Sequence, residues 1–393
     1  MSKTAHHRLD ILRGHLRPSV EYQPTQLSTQ NTSASKGYNQ LLLVKKSSNY
    51  REASKIDHVP TIPEPKPNQI LVKHKYAGVQ GSEIMISNGV YGPLKYKDPP
   101  VVAGSEACGI IVKVGSNVKH LKEGQAVLFS NPGFTEYSVM DAKIVIPISK
   151  CSPEAVAIII SGTTAYLGLK ECGHLDFSKK TDKPLKVLVT GAAGATGSFA
   201  VQLAKRAGHY VIGTCGGDDK VELLKKLGCD KIINYKKEDV GQALKSLKGV
   251  DVVYEGVGGE MFHTCLNHLK EGGRFVIIGG IAQYKSDRDA QSKEQLKKLF
   301  AGSSVPTLVN TLLMGNRHMS GFFLVPYLFD KEKIPVWRAA VEDMLSMLEK
   351  GEIHAPIDEH CAKTFTKGPE SVCDAVDYLQ SGKNVGKVFV TFE

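Results

Sequence analysis

The stretch KVLVTGAAGATGSFAVQLAK, residues 186–205, restricts the fold more than any other part of the chain. A short β-branched run ends at Thr190, small residues follow from Gly191 to Ser198, and Phe199, Val201, Leu203 and Ala204 then fall at helical spacing. The unit recurs downstream. HYVIGTC reads as a strand, GDDKVELLKKLG as a helix, and KIINY, VDVVYEGVG and GRFVIIGG as further strands. Apolar runs of this length alternating with helices predict an α/β fold, a doubly wound parallel sheet covered on both faces.

Upstream the texture differs. NQLLLVKK and QILVKHKYAGVQ are strand-like runs separated by the Pro-rich VPTIPEPKPNQ, and PPVVAGSEACGIIVKVGSNVKHLKEGQAVLFS alternates Gly turns with β-branched pairs. This predicts a β-barrel or half-barrel over about residues 37–150. SPEAVAIIISGTTAYLGLKECG opens with a helix-start signature and reads as a buried helix. The terminal GKNVGKVFVTFE reads as a strand able to rejoin the first domain. Residues 17–36, rich in Gln, Ser and Thr, read as a tether. The expected division is 1–36 as targeting peptide and tether, 37–160 with 325–393 as the catalytic domain, and 161–324 as the parallel-sheet domain.

In the glycine-rich turn, Ala192, Gly194 and Gly197 occupy the three small-residue positions of a G-x-G-x-x-G fingerprint, the first as Ala. Small residues let the backbone approach a pyrophosphate, and the helix that follows offers unpaired N–H groups and the positive end of its dipole. The turn is thus a candidate dinucleotide site. The second strand ends in Gly216 and Gly217 with no acid to accept from a ribose 2′-hydroxyl, and Lys220 is placed to pair with a 2′-phosphate. NADPH is therefore expected over NADH. A catalytic zinc would need a Cys near AGVQGSE and a His–Glu pair in AGSEACG. The chain has Ser82 in the first and Ser105–Glu106 in the second, so no catalytic zinc is expected.

Net charge is +10, but the lysines are scattered, no basic run of five occurs and aromatics are only 7%, which argues against nucleic-acid binding. No run approaches the roughly 18 consecutive apolar residues of a membrane span. The eight cysteines form no C-x-x-C pair and are expected as reduced thiols.

These blocks, with NGVYGPLKY, GFFL and GKNVGKVFV, resemble the zinc-free quinone oxidoreductase branch of the medium-chain dehydrogenase/reductase superfamily over about residues 40–393. The resemblance implies a GroES-like β-barrel domain beside a Rossmann domain. It places Thr196, Gly216, Lys220 and Tyr235 along the adenosine half of NADPH, and Gly256, Ile278 and Tyr284 toward its middle and nicotinamide half. Phe322, Phe323 and Leu324 would close over the nicotinamide, Asn384 would reach the cofactor from the tail, and Tyr91 would face the substrate. Relatives carry an Asn-x-x-Asp element where this chain has Gln80, Gly81, Ser82 and Glu83, so Gln80 is the candidate to orient nicotinamide or substrate. The segment 286–305 is longer than its counterpart. The implied activity is NADPH-dependent reduction of the alkene of an α,β-unsaturated ketone, with lipid-like substrates such as 15-oxo-prostaglandins. Quinone reduction and non-catalytic NADPH binding are the alternatives. The family's habit implies a homodimer.

Near the amino terminus, RLDILRGHL places Arg8 and His15 seven residues apart, on one helical face, with Leu9 and Leu16 beside them. It resembles the amino-terminal peroxisomal signal R-L-x5-H-L and implies an import receptor as partner. A mitochondrial or cytoplasmic location is the alternative.

Overall fold

A computed structural model describes residues 37–89, 99–281 and 305–393. Tyr91, Tyr284, most of the 286–305 segment and the signal residues Arg8, Leu9, His15 and Leu16 lie outside the described residues.

The first domain is antiparallel. Strands β1 (Tyr38–Leu43), β2 (Ser54–Val59), β3 (Gln69–Gly78), β4 (Val101–Val102), β5 (Glu106–Val114), β6 (Ala126–Ser130), β7 (Tyr137–Asp141) and β8 (Ile146–Pro147) form two sheets. One runs β2-β1-β4, and the other runs through β3-β5-β6-β8 with β7 on β3. A bridge between Gln40 and Thr135 joins them into a partial barrel. Its interior holds Ile70, Val72, Ala107, Ile111, Val127 and Phe129, the inward set of strands whose alternate positions face outward.

A long connecting helix follows. Ser152 caps it by accepting from the Ala155 N–H, and Pro153 occupies its first turn, as the Ser-Pro-Glu signature predicts. Two stretches of wider π-helical turn, Ile158–Gly162 and Gly168–Cys172, interrupt it. The Ile159 carbonyl accepts from Thr163 Oγ1 at 2.7 Å and Trp337 Nε1 at 3.2 Å.

Strands β9 (Lys186–Val189), β10 (Tyr210–Cys215), β11 (Lys231–Asn234), β12 (Val250–Glu255), β13 (Leu269–Ile277) and β14 (His318–Gly321) form one parallel sheet, ordered β11-β10-β9-β12-β13-β14. This is the doubly wound arrangement, with the direction of winding reversing between β9 and β12. The sheet's two faces are buried in separate apolar clusters, one with Val187, Val189 and Phe199, the other with Leu188, Ile212 and Phe275.

The tail returns to the barrel. Strand β15 (Phe389–Thr391) pairs antiparallel with the end of β3, Phe389 opposite Gly78 and Thr391 opposite Tyr76. The eight cysteines are free thiols, four of them buried.

Candidate functional site

The carboxyl ends of β9 and β12 meet at the point where the winding reverses, the place an open parallel sheet offers a ligand. At the end of β9, Gly191 takes a positive φ of 54°, and the Gly194 N–H returns to its carbonyl at 3.0 Å. A Cβ at Gly197 would stand 2.5 Å from the Gly191 carbonyl oxygen and 2.8 Å from Ala192 Cα. Only glycine therefore lets the helix Ala195–Arg206 seat this closely on the turn. Gly194 precedes that helix with no side-chain cap, so the first-turn N–H groups face outward with Thr196 half-buried among them. Ala192 and Gly197 are buried beneath. This is a cradle shaped for a pyrophosphate.

At the end of β10, Tyr235 reaches back from beyond β11 and lays its hydroxyl over Gly216, where a Cβ would collide with it. Asp218 and Asp219 stand in the first turn of the helix Asp218–Lys226, as their position after the glycines predicts. Lys220, half-buried on that helix, donates to the Gly382 carbonyl at 2.7 Å. Burial lowers its basicity, which an anion would restore.

At the end of β12, the Gly256 N–H donates to Thr190 Oγ1 at 3.0 Å, and Ile278 lies against Gly256. Glu255, unnoticed in the sequence because it sits in a run that reads as strand, shapes this loop. Its Oε1 accepts from the N–H groups of Val257 at 2.8 Å and Gly258 at 2.9 Å. Burial raises the Glu255 carboxyl above its ordinary range.

The GFFL segment divides between core and surface. Phe322 and Leu324 belong to the apolar core, Phe322 packing on Tyr327 with ring centroids 5.6 Å apart, whereas Phe323 is 37% exposed. Two of the three side chains anchor the loop from below and only Phe323 is presented outward. Asn384 is buried and donates to the Gly386 carbonyl at 3.0 Å. The Gly386 N–H donates to Ala193 O at 2.9 Å, so the tail lies against the glycine turn.

On the barrel side, Gln80 donates from Nε2 to Glu106 Oε1 at 2.7 Å. The same oxygen is in ion-pair contact with Lys387, a residue the sequence reading passed over. These positions bear on zinc. Ser82 and Ser105 offer hydroxyls where a zinc alcohol dehydrogenase needs thiolate and imidazole, and Glu106 already faces an ammonium. Among the described residues, no three His, Cys, Asp or Glu side chains are grouped to hold a metal ion.

The structure thus brings Ala192, Gly194, Gly197, Gly256 and the Asn384 segment together at the winding reversal. It sets Gly216, Lys220 and Tyr235 together at the end of β10.

Comparison with known proteins agrees. The alcohol dehydrogenase GroES-like domain matches residues 66–150, and the zinc-binding dehydrogenase domain matches residues 195–332. Prostaglandin reductase-3 of Mus musculus is 40% identical over 378 residues, 94% of each chain. A probable quinone oxidoreductase of Leishmania amazonensis is 38% identical over 92% of this chain and 100% of its own. The crystal structure of Escherichia coli quinone oxidoreductase complexed with NADPH superposes with a TM-score of 0.71 at 25% identity, covering 90% of this chain and 99% of that one.

Proposed function

We propose, since the chain belongs to the quinone oxidoreductase branch of the medium-chain dehydrogenase/reductase superfamily, that it is a zinc-independent NADPH-dependent reductase of the carbon–carbon double bond of α,β-unsaturated ketones, lipid-like ones included. One observation carries the reading. A glycine cradle at the sheet's winding reversal is joined through Gly386 and Lys387 to a half-buried amide at Gln80, in a chain 40% identical to a prostaglandin reductase-3.

NADPH, when bound, supplies the hydride. Ala192, Gly194, Thr196 and Gly197 would hold its pyrophosphate, and Gly216 and Tyr235 its adenosine end. Lys220 would leave the Gly382 carbonyl for the 2′-phosphate, a stronger acceptor. Gly256, Ile278, Phe323 and Asn384 would line the path to the nicotinamide. Charge developing on the ketone oxygen needs a donor, usually the largest catalytic contribution, and Tyr91 is the candidate. The half-open barrel side with Gln80 would hold the alkene in line, which supplies several kcal/mol without further chemistry.

The test offers purified protein NADPH with a 15-oxo-prostaglandin, a simple 2-enone and a quinone in parallel, with products identified by mass. A gain of two hydrogens across the alkene is expected. Turnover of the quinone alone would replace this reading with the second one, which the 38% identical probable quinone oxidoreductase favours. Tight NADPH binding without oxidation by any acceptor would leave a binding protein.

A further inference from the structure

Where the end of β3 meets β5 and the tail, four polar residues, Glu83, Ser105, Glu106 and Lys387, are buried together with the half-buried Gln80 at their edge. Lys387 is 1% exposed and Glu106 fully buried, and Lys387 Nζ also donates to the Val79 carbonyl at 3.2 Å. Beside them Glu83, also fully buried, accepts from Ser105 Oγ at 3.1 Å. A Cβ at Gly78 would overlap both Glu106 Oε1 and Lys387 Cε, so the pair fills the space that glycine leaves.

Two carboxyls here share one ammonium. Burial pushes the Glu83 carboxyl up to about 8 against the pull of Ser105 and Lys387, so Glu83 keeps its proton at neutral pH. That leaves Lys387 to Glu106, the carboxyl it touches. Burial raises the Glu106 carboxyl and the Lys387 ammonium against it pulls it back down; the contact with that ammonium holds it as a carboxylate, which has no hydrogen to give. Gln80 therefore turns its amide nitrogen toward Glu106, at 2.7 Å, and its carbonyl oxygen the other way, because only the nitrogen can donate to a carboxylate.

The same segment also reaches the cofactor side. Gly386 is bridged to Gly194, the Lys387 N–H donates to Pro356 O at 2.8 Å, and the Val79 N–H donates to Val388 O at 2.9 Å. Residues 386–388 thus touch the glycine turn at one end and the residue before Gln80 at the other.

We propose that Glu106 and Lys387 are positioning residues that fix the Gln80 carboxamide so that it presents an acceptor, its carbonyl oxygen, to the active site. The group it takes is a hydrogen-bond donor such as a primary carboxamide or a hydroxyl, and not the ketone oxygen of the substrate. This rests on the functional reading above.

The experiment compares Glu106→Gln with the double variant Glu106→Leu/Lys387→Met, each with and without Gln80→Ala. Glu106→Gln keeps an oxygen able to accept from both Lys387 and Gln80 but leaves the ammonium without a counter-charge. Its Tm should fall while kcat stays within about threefold of wild type, since breaking a buried pair is costly to stability. The apolar pair replaces both charges and should keep the fold, yet lose about tenfold or more in kcat with an NADPH Kd within about twofold, a fraction of what a misplaced group can cost. Adding Gln80→Ala to the apolar pair should then cost nothing further, because one unit is already broken. A charge role that is merely structural gives the reverse order, with kcat following Tm. Wild-type kcat in the apolar pair, or an additive loss on adding Gln80→Ala, would overturn the inference alone. A wild-type protein that binds NADPH but passes its hydride to none of the acceptors offered would overturn the functional reading and this inference with it.

Discussion

His74 and Glu83 are both sealed inside the barrel, one as a base and one as an acid. His74 on β3 meets Ser138 Oγ at 2.8 Å and the Gly133 carbonyl at 3.2 Å, and packs edge-on against Phe129 and Phe392. Burial lowers its imidazole to about 3 from an ordinary 6.5. The folded chain therefore refuses a proton that the unfolded chain accepts. The stability this contributes is whole above pH 6.5 and is lost as pH falls from there toward 3. Glu83 has the opposite sign. Its folded carboxyl keeps its proton to about pH 8, whereas the unfolded one releases it near 4.5, so its contribution is whole below 4.5 and is lost as pH rises through 8. Urea unfolding at a series of pH values separates the two. Glu83→Gln should flatten the decline between pH 6.5 and 8, and His74→Gln should flatten the rise between 3 and 6.5. A Glu83→Gln protein that loses stability as steeply as wild type above pH 6.5 would remove Glu83 from this account.

The helix Asp218–Lys226 shows how one short element selects a ligand. Asp218 pairs with Lys237 at 2.6 Å, away from the glycines, and Lys220 projects from the next turn position toward Gly382. Asp219 turns a carboxylate oxygen back against Gly217 from within the helix rather than from the end of the strand, while Lys220 donates to a neutral carbonyl that a phosphate can displace. Lys220→Ala should weaken NADPH binding about 10- to 100-fold, the range that a hydrogen bond to a charged group supports, and leave NADH within about twofold. Titration calorimetry with both cofactors measures it, and an equal loss for the two would make Lys220 a helix-packing residue. This element was legible because its signal is local: two glycines, two acids and a lysine within five positions. Gly197 was legible for the same reason, since its packing partner is Gly191 in the same turn. Phe322 and Leu324 were not, because an aromatic run reads the same whether it closes a site or anchors a loop.

At the scale of the molecule, the alternation of apolar runs and helices foretold the parallel sheet, and the terminal apolar run foretold β15. What sequence could not show was the partner of Lys387. A lysine normally lies outside, and the Glu106 that holds it belongs to β5, in the opposite half of the chain. The tail is therefore both wall and counter-charge of the barrel. Val388, Phe389, Val390 and Phe392 are all at most 3% exposed. Ending the chain after Gly386 would strip these side chains from the core, at about 1–5 kcal/mol each. It would also leave Glu106 buried without its ammonium, at about 3–5 kcal/mol. The sum, about 7–25 kcal/mol, is as large as the roughly 5–15 kcal/mol that holds a domain folded. The truncated protein should show no cooperative thermal transition from its barrel, read by calorimetry beside the full chain. If it instead melted within about 5 °C of the full chain, a shift worth only about 1–2 kcal/mol for domains of this size, the tail would be an appendage and the Lys387–Glu106 pair dispensable.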